Sequence, residues 1–152
     1  MKTAGEVIWQ KGKINNIISP DALVIDALNR LLEVDLSYLI VKEGEDVLGI
    51  FSERDYARKV ILQGRSSSNT TVKDVMSVDL PEVQWTDSIE TCMKLLASKG
   101  RRYILVFDKK QFEGVITIHD LLREILLHGE RALDSRITSQ LIDINERPSS
   151  IY

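Results

Sequence analysis

The chain has 152 residues, 43% hydrophobic and 28% charged, a balance typical of a globular protein with one or two small cores. Its formal net charge of −3 disfavours a general binder of nucleic acid or of anionic membranes, because such partners require clustered positive charge. A single cysteine, Cys92, excludes an intrachain disulfide and a cysteine-rich zinc site. Because it lies on the apolar face of a predicted helix, we expect it to be buried.

The first residues lack the apolar segment of a signal peptide, and no run of about 18 apolar residues occurs anywhere in the chain. We therefore expect a cytoplasmic protein without membrane insertion.

In chain order, the pattern opens with a short apolar strand at residues 17–18. A helix is predicted to start at Ser19-Pro20-Asp21, with Ser19 as N-cap and Pro20 at the first helical position. Two strands at 39–41 and 47–51 then form a hairpin. Ser52 caps a second helix, which we expect to run through Leu62.

After a linker at residues 64–69 and a short helical lead-in at 72–76, the same order returns. A strand at 80–83 precedes a helix capped by Thr86-Asp87, and a hairpin leads to a last repeated helix from Thr117. The tail from Gly129 has helical spacing, and its polar end, residues 145–152, is expected to fray.

The chain is thus a tandem of one β-α-β-β-α unit. Residues 18–62 align with residues 83–127 without a gap, a shift of 65 positions, and the apolar pattern matches throughout. We assign residues 7–66 to the first repeat with its lead-in, 67–128 to the second repeat, and 129–152 to a partly disordered helical tail. The seven identical pairs are Leu31/Leu96, Tyr38/Tyr103, Val41/Val106, Gly49/Gly114, Asp55/Asp120, Arg58/Arg123 and Leu62/Leu127.

The strand-to-helix junctions carry the candidate chemistry. Each has a hydroxyl at the end of a strand and an aspartate three residues later: Ser52 with Asp55, and Thr117 with Asp120. Free N–H groups at a helix N-terminus attract anions, and a hydroxyl can bond a phosphate oxygen. A carboxylate can accept hydrogen bonds from both hydroxyls of a ribose. Helix capping is the structural alternative, because Ser/Thr-x-x-Asp is similar to a capping box. Its recurrence in both repeats favours a binding site.

The runs Ser19 to Asp21, Leu48 to Val60 and Val72 to Met76 resemble a stand-alone bacterial CBS (cystathionine β-synthase) domain pair, or Bateman module. The resemblance extends from about Val7 to Leu127. It implies an α/β (α+β) fold in which the two repeats pack sheet to sheet with pseudo-twofold symmetry. It also implies clefts between the repeats that bind adenosine-containing nucleotides: AMP, ADP, ATP, NAD(H) or S-adenosylmethionine.

By this resemblance, Asp55 and Asp120 are ribose ligands, and Ser52 and Thr117 are phosphate-side ligands. Arg102 matches a frequent basic position of the family, which leaves a phosphate role and a surface role open.

Arg54 and Arg58 either neutralise phosphates or belong to a solvated face, and we favour the solvated face for Lys59. With Arg54 and Arg58 beside it, the first junction is expected to bind nucleotides more tightly than the second.

The second repeat departs from the family pattern. Tyr103 stands where a histidine is common, and His119 stands where a glycine is common beside Asp120. These side chains either narrow the second cleft or line it with stacking and phosphate contacts, so we keep both among the candidate site residues. The two histidines, His119 and His128, have no partners for a metal site, and no metal is expected. Trp9 is expected to pack within the fold.

Three functions are open at this point. The leading hypothesis is a regulatory module that takes an adenine nucleotide as its ligand and acts on an unidentified enzyme or transporter. The alternative is a ligand-free module for protein–protein assembly. An enzyme is rejected: the resemblance extends to the CBS insert of IMP dehydrogenase, but the chain is too short for a (β/α)8 barrel and has no catalytic cysteine loop.

A homodimer is predicted from the helices at 56–63 and 121–128, which carry apolar residues on more than one face. The alternative is that the tail, residues 130–144, folds back to cover them.

Overall fold

Each repeat forms its own three-stranded sheet in the computed structural model, which describes residues 2–128 and 135–146. The strand order is β1-β2-β3 in the first sheet and β4-β5-β6 in the second. This confirms the mixed α/β fold. The elements are α1 (Ala4–Lys11), β1 (Ile17–Ile18), α2 (Val24–Val34), β2 (Tyr38–Glu43), β3 (Asp46–Ser52), α3 (Glu53–Asp55), a π-helix (Tyr56–Ile61), α4 (Val72–Val75), β4 (Glu82–Gln84), α5 (Ile89–Lys99), β5 (Tyr103–Asp108), β6 (Gln111–Thr117), α6 (Ile118–His128) and α7 (Ser135–Glu146).

Both hairpins have the predicted antiparallel pairing, and in both sheets the first strand pairs parallel with the second. The register is the same in the two sheets: Ser52 lies opposite Tyr38, and Thr117 lies opposite Tyr103. The two hydroxyls therefore occupy equivalent positions, at the last residue of a strand and immediately before a helix.

The chain divides into two units, and their limits differ from the sequence prediction. One unit contains residues 14–79, and the other contains the described residues before 14 and from Leu80 onward. The lead-in α1, which we had assigned to the first repeat, packs on the second: Ala4 and Val7 share a core with Leu96. Conversely, α4 packs on the first repeat, where Val72 and Val75 are buried.

Two helix starts also differ from the prediction. Ser19 does not cap α2, because its oxygens close a separate turn by accepting from the N–H groups of Asp21 and Ala22. The helix begins at Val24, whose N–H donates at 2.8 Å to the carbonyl of Thr70, the residue that follows the linker. In the second repeat the cap is Ser88, which accepts from the N–H of Thr91.

The second helix of the first repeat is not a regular α-helix through Leu62. Ser52 caps a single turn, α3, which continues into the π-helix. Its wider spiral is held by a bond between residues five apart, from the N–H of Leu62 to the carbonyl of Ala57 at 3.1 Å. Such wide turns often occur at functional sites.

The tail adds a helix to the second unit. In α7, Leu141 is fully buried, in one core with Leu121 and other residues of α5 and α6. The tail therefore packs on α6, as the alternative to a dimer required. It does not cover the whole helix, because Leu126 and Leu127 remain exposed. Within residues 2–128 and 135–146, no helix is long and apolar enough to cross a bilayer. The expected fraying falls largely on residues 147–152, outside the described part of the chain.

Two side-chain expectations had different outcomes. Trp9 is 81% exposed, so the expectation that it packs within the unit is wrong. Cys92 is fully buried on the apolar face of α5, as predicted. Burial, with a smaller contribution from the Asp87 carboxylate, raises the pKa of the Cys92 thiol from 9.0 to about 12.

We expect Cys92 in the folded protein to resist a maleimide reagent near pH ~8 and to react once the chain is unfolded in urea, because the thiolate is the reactive form. Since the folded pKa is the higher one, the contribution of the thiol to stability is complete below pH 9 and declines as the pH rises towards 12. A Ser98→Cys variant, with its new thiol exposed on the same helix, is the control and should label rapidly. Rapid labelling of Cys92 in the native wild type would contradict this placement.

Candidate functional site

At the first junction, Ser52 and Asp55 bond to each other reciprocally. The Ser52 N–H donates to Oδ2 of Asp55 at 2.9 Å, and the Asp55 N–H donates to the Ser52 hydroxyl oxygen at 3.2 Å. The Ser52 hydroxyl also donates to the same Oδ2 at 3.0 Å. The capping box considered from the sequence is therefore present, and the Ser52 hydrogen is used within it.

The second oxygen of Asp55 is also engaged. Oδ1 accepts from the hydroxyl of Ser77 at 2.8 Å and lies 3.1 Å from the ammonium group of Lys59. A carboxylate offers about four acceptor positions, and four donors face this one. Asp55 is 0% exposed. A ribose can reach this carboxylate only by displacing a donor that the fold already supplies.

Gly49 explains how Ser77 comes so close to Asp55. Ile50 and Ser77 exchange both backbone hydrogen bonds, at 3.0 and 2.8 Å. A side chain on Gly49 would collide with the carbonyl oxygen of Ser77. The glycine of the motif is thus needed for the approach of a backbone from the same unit.

The second junction has the same reciprocal pair but different donors. The Thr117 N–H donates to Oδ2 of Asp120 at 2.8 Å, and the Asp120 N–H donates to the Thr117 hydroxyl oxygen at 3.2 Å. Oδ2 also accepts from the ammonium group of Lys11 at 2.8 Å. Oδ1 has one contact among the described residues, with Arg123 at 3.5 Å, so it keeps acceptor capacity. The Thr117 hydroxyl hydrogen has no acceptor in the described part of the chain.

α1 covers the glycine of this second motif. A Cβ on Gly114 would meet the side chain of Ile8 at 3.0 Å, and the backbone there has a φ of 156°. Lys11, three residues after Ile8 on the same helix, reaches Asp120. The lead-in helix therefore takes part in the second junction through both an apolar and a charged contact.

The charged residue one helical turn after each aspartate has opposite sign in the two repeats. Lys59 follows Asp55 by four residues, whereas Glu124 follows Asp120 by four residues. Glu124 is buried, with Oε1 3.1 Å from Lys2 and Oε2 3.1 Å from His128. The second junction thus contains two buried carboxylates on one helix face, and most of their counter-charges come from outside the aligned repeat.

The remaining candidate residues are spread around the junctions. Arg54 and Arg58 are half-buried on the turns that follow Ser52, and their phosphate role stays a prediction. Tyr103 is half-buried opposite Thr117, and His119 is exposed at the start of α6.

The side chain of Arg102 is directed to α7, although its backbone carbonyl accepts from the N–H of Ile118 beside the second junction at 2.9 Å. Its guanidinium group donates to the carbonyl of Ile144 at 2.7 Å and to that of Asn145 at 3.4 Å, at the end of α7. Such carbonyls attract cations. A phosphate role for Arg102 would require it to leave α7.

Sequence reasoning missed Lys11, Ser77 and Glu124. Lys11 and Ser77 reach the aspartates from other segments, 109 and 22 residues away, and carry no local signal. For Glu124 the sequence does contain a signal, because the alignment of the repeats places this carboxylate opposite Lys59. No three His, Cys, Asp or Glu side chains converge on a metal position in the described ranges.

Asp55→Ala is expected to lower the free energy of unfolding by roughly 2–4 kcal/mol, because four donors, one of them a cation, lose a buried acceptor. An exposed carboxylate near a helix N-terminus would contribute much less, about 0.3–1 kcal/mol. Urea denaturation measures the change, and Asp108→Ala, at an exposed turn, is the control. A loss below about 1 kcal/mol would show that Asp55 does not have this structural role.

Comparison with known proteins supports the repeat assignment. The model of the CBS domain matches residues 15–61 and again residues 72–127. The chain is 32% identical over 148 residues to the mitochondrial CBS domain-containing protein CBSX3 of Arabidopsis thaliana, covering 91% of this chain and 71% of that protein.

Solved structures agree. A protein with CBS domains from Burkholderia ambifaria MC40-6 matches with a TM-score of 0.73 and 32% identity, over 83% of this chain and 95% of that one. CBSX2 in complex with AMP shares the fold, with a TM-score of 0.63 and 22% identity over 84% of this chain and 98% of that one. With two matched copies covering most of its length, the chain belongs to the CBS-domain family as a tandem CBS pair.

Proposed function

We propose that this protein is a regulatory module that binds an adenosine-containing nucleotide at its strand-to-helix junctions. The observation that carries the proposal is the reciprocal pair at the second junction, Thr117 with Asp120, which leaves a carboxylate oxygen and a hydroxyl hydrogen for a ligand. The same pair recurs at the equivalent place in the first repeat. CBS-pair proteins are commonly regulatory, and CBSX2, which shares the fold, is described in complex with AMP.

The chemistry of the second junction suits a nucleotide. Oδ1 of Asp120 is placed to accept hydrogen bonds from ribose hydroxyls, because its contact with Arg123 is long and that arginine is exposed. The Thr117 hydroxyl can donate to a phosphate oxygen while its lone pair continues to cap α6. An eleven-residue helix starts there, so its dipole also favours the anion.

This proposal reverses the ranking expected from the sequence. That ranking rested on the cations Arg54 and Arg58, but at the first junction the acceptors of Asp55 and the hydrogen of Ser52 are already used. We therefore place the tighter site at Asp120. AMP, ADP, ATP, NAD(H) and S-adenosylmethionine all carry the ribose that this site would recognise.

Regulation would follow from differential binding. A ligand shifts an equilibrium between two states only as far as it prefers one of them, so the change must involve contacts that the ligand alters. The donors around Asp120 come from α1 and α6, and these two elements are the ones we expect to respond.

Asp120→Asn is expected to weaken binding of AMP about tenfold to a hundredfold, the loss of roughly 1.5–3 kcal/mol of charge-assisted hydrogen bonding. Calorimetric titration measures this, with AMP, ADP, ATP, NADH and S-adenosylmethionine as ligands. Asp108→Asn is the matched control, because it removes an exposed carboxylate on the β5–β6 hairpin.

Two outcomes would contradict the proposal. Equal affinity in Asp120→Asn and the wild type would remove Asp120 from the site. Absence of binding and of any ligand-induced thermal shift for all five ligands would favour the ligand-free assembly module, since specific binding stabilises a folded protein by mass action.

We also propose that the module is a homodimer. Equivalent positions of the two repeats expose apolar side chains: Leu62 is 75% exposed in the first, and its counterpart Leu127 is 67% exposed in the second, where the adjacent Leu126 is also exposed. α7 covers another face of α6 and leaves these leucines uncovered. Because the same feature occurs in both repeats, we take a second copy of this chain as the partner that covers these leucines.

Leu127→Glu is expected to convert a dimer into a monomer, because it introduces a charge into the buried apolar centre of the proposed interface. Sedimentation velocity at micromolar concentration distinguishes 17.3 kDa from twice that mass. The control is Leu32→Glu on α2, where the leucine is equally exposed but lies outside the aligned pair. A wild-type chain that sediments as a monomer would contradict the dimer.

A further inference from the structure

The second repeat has an excess of buried negative charge that the first repeat does not have. Asp55 and Lys59 pair within one helix, at 3.1 Å. Their counterparts Asp120 and Glu124 are both carboxylates, one turn apart on α6, and both side chains are nearly buried. Like charges at this spacing destabilise a helix, and burial increases the cost, so this helix needs cations from another segment.

α1 and the residue before its cap provide two of those cations. Lys2 lies 3.1 Å from Glu124 and Lys11 lies 2.8 Å from Asp120, one at each end of the segment. Each of the two buried carboxylates of α6 is therefore paired with one lysine of this segment. These ion pairs act together with the burial of Ala4 and Val7 to favour the packing of α1 on the second repeat.

Lys11 has a second contact that shows where its ammonium group lies. It donates to the carbonyl oxygen of Val115 at 2.8 Å as well as to Oδ2 of Asp120. The same Oδ2 accepts from the N–H of Thr117. The ammonium group is thus held on the carboxylate that the proposed function gives to ribose. The same carboxylate oxygen bonds the backbone of Thr117, whose hydroxyl the proposed function gives to phosphate.

We propose that Lys11 makes the second site selective for nucleotides over nucleosides, an inference that rests on the proposed function. In the free protein, Lys11 neutralises Asp120 by bonding Oδ2. One ribose hydroxyl can bond the open Oδ1, but the second must compete with Lys11 for Oδ2, and a ribose that takes both oxygens leaves the ammonium group without its counter-charge. A nucleotide supplies a new one in its phosphate, at the Thr117 side, whereas a nucleoside does not.

The flexibility of a lysine fits this exchange. An ammonium group is a compact charge on a four-carbon stem, able to turn from one oxygen to another without a fixed bonding plane. The rest of α1 has anchors that do not depend on Lys11: the pairing of Thr3 with Ser88, the burial of Val7, and the contact of Ile8 with Gly114. Lys11 can therefore change partner while α1 remains in place.

The test compares AMP with adenosine by calorimetric titration of the full-length chain. In the wild type, AMP should bind more tightly than adenosine. In Lys11→Met, adenosine should gain affinity because its competitor is gone, and AMP should gain less because it also loses a cation. We expect the ratio of AMP affinity to adenosine affinity to fall at least tenfold.

Matched variants separate this role from a structural one. Lys13→Met removes the same charge two residues further on, at an exposed position, and should leave the ratio unchanged. Lys11→Arg keeps the charge and should keep most of the selectivity. If Lys11→Met folds poorly, Lys11→Gln, which retains a polar side chain of similar length, should show the same fall in ratio.

Specific results would overturn the inference. An unchanged ratio in folded Lys11→Met or Lys11→Gln, with AMP still binding to the wild type, would refute the role of Lys11 and leave the proposed function standing. A weaker affinity for adenosine in either variant would show that Lys11 supports the site and does not compete for it. Failure of the wild type to bind either ligand would contradict the proposed function together with this inference.

Discussion

A buried carboxylate at the start of a helix is the constraint on which each unit depends. In both repeats, a strand ends at a hydroxyl residue. The carboxylate of the aspartate three residues later accepts a hydrogen bond from the backbone N–H of that hydroxyl residue. This closes the turn from strand to helix and takes a charge out of water, which is tolerated only when donors surround it. The neighbouring segments are arranged to provide those donors, so the close approach of Ser77 to Gly49 and the placement of α1 follow from the same need.

The two repeats meet this need in different ways, and the proposed function rests on the difference. In the first, the donors come from the same unit and saturate Asp55, which makes it a structural centre. In the second, Glu124 stands where the first repeat has Lys59, and the charge that neutralises Asp120 comes from Lys11 on α1. A carboxylate neutralised by a displaceable group is better suited to ligand exchange than one enclosed by its own fold. Pseudo-equivalent sites can thus diverge through one charge reversal next to a retained motif.

The exposed leucines indicate a second level of organisation. Leu62 and Leu127 are identical in the two repeats, yet neither is buried within its own unit. Exposed apolar residues retained in both copies are the observation behind the proposed homodimer. α7 contributes to the core of the second unit without covering Leu126 and Leu127, so the tail does not fill the role that we propose for a second chain.

Local pattern in the sequence was sufficient for the repeat, the hairpins, the burial of Cys92 and the hydroxyl–aspartate pairs, because all of these depend on residues a few positions apart. Helix starts were predicted less well, since Ser19 had the right chemistry but Thr70, distant in sequence, supplied the acceptor for the first turn. The partners of α1, the contact of Ser77 with Asp55 and the position of Arg102 at α7 were decided only by tertiary structure. Each joins segments far apart in the chain, and the energy of such contacts depends on burial and on the charges brought together, which no local window of sequence contains.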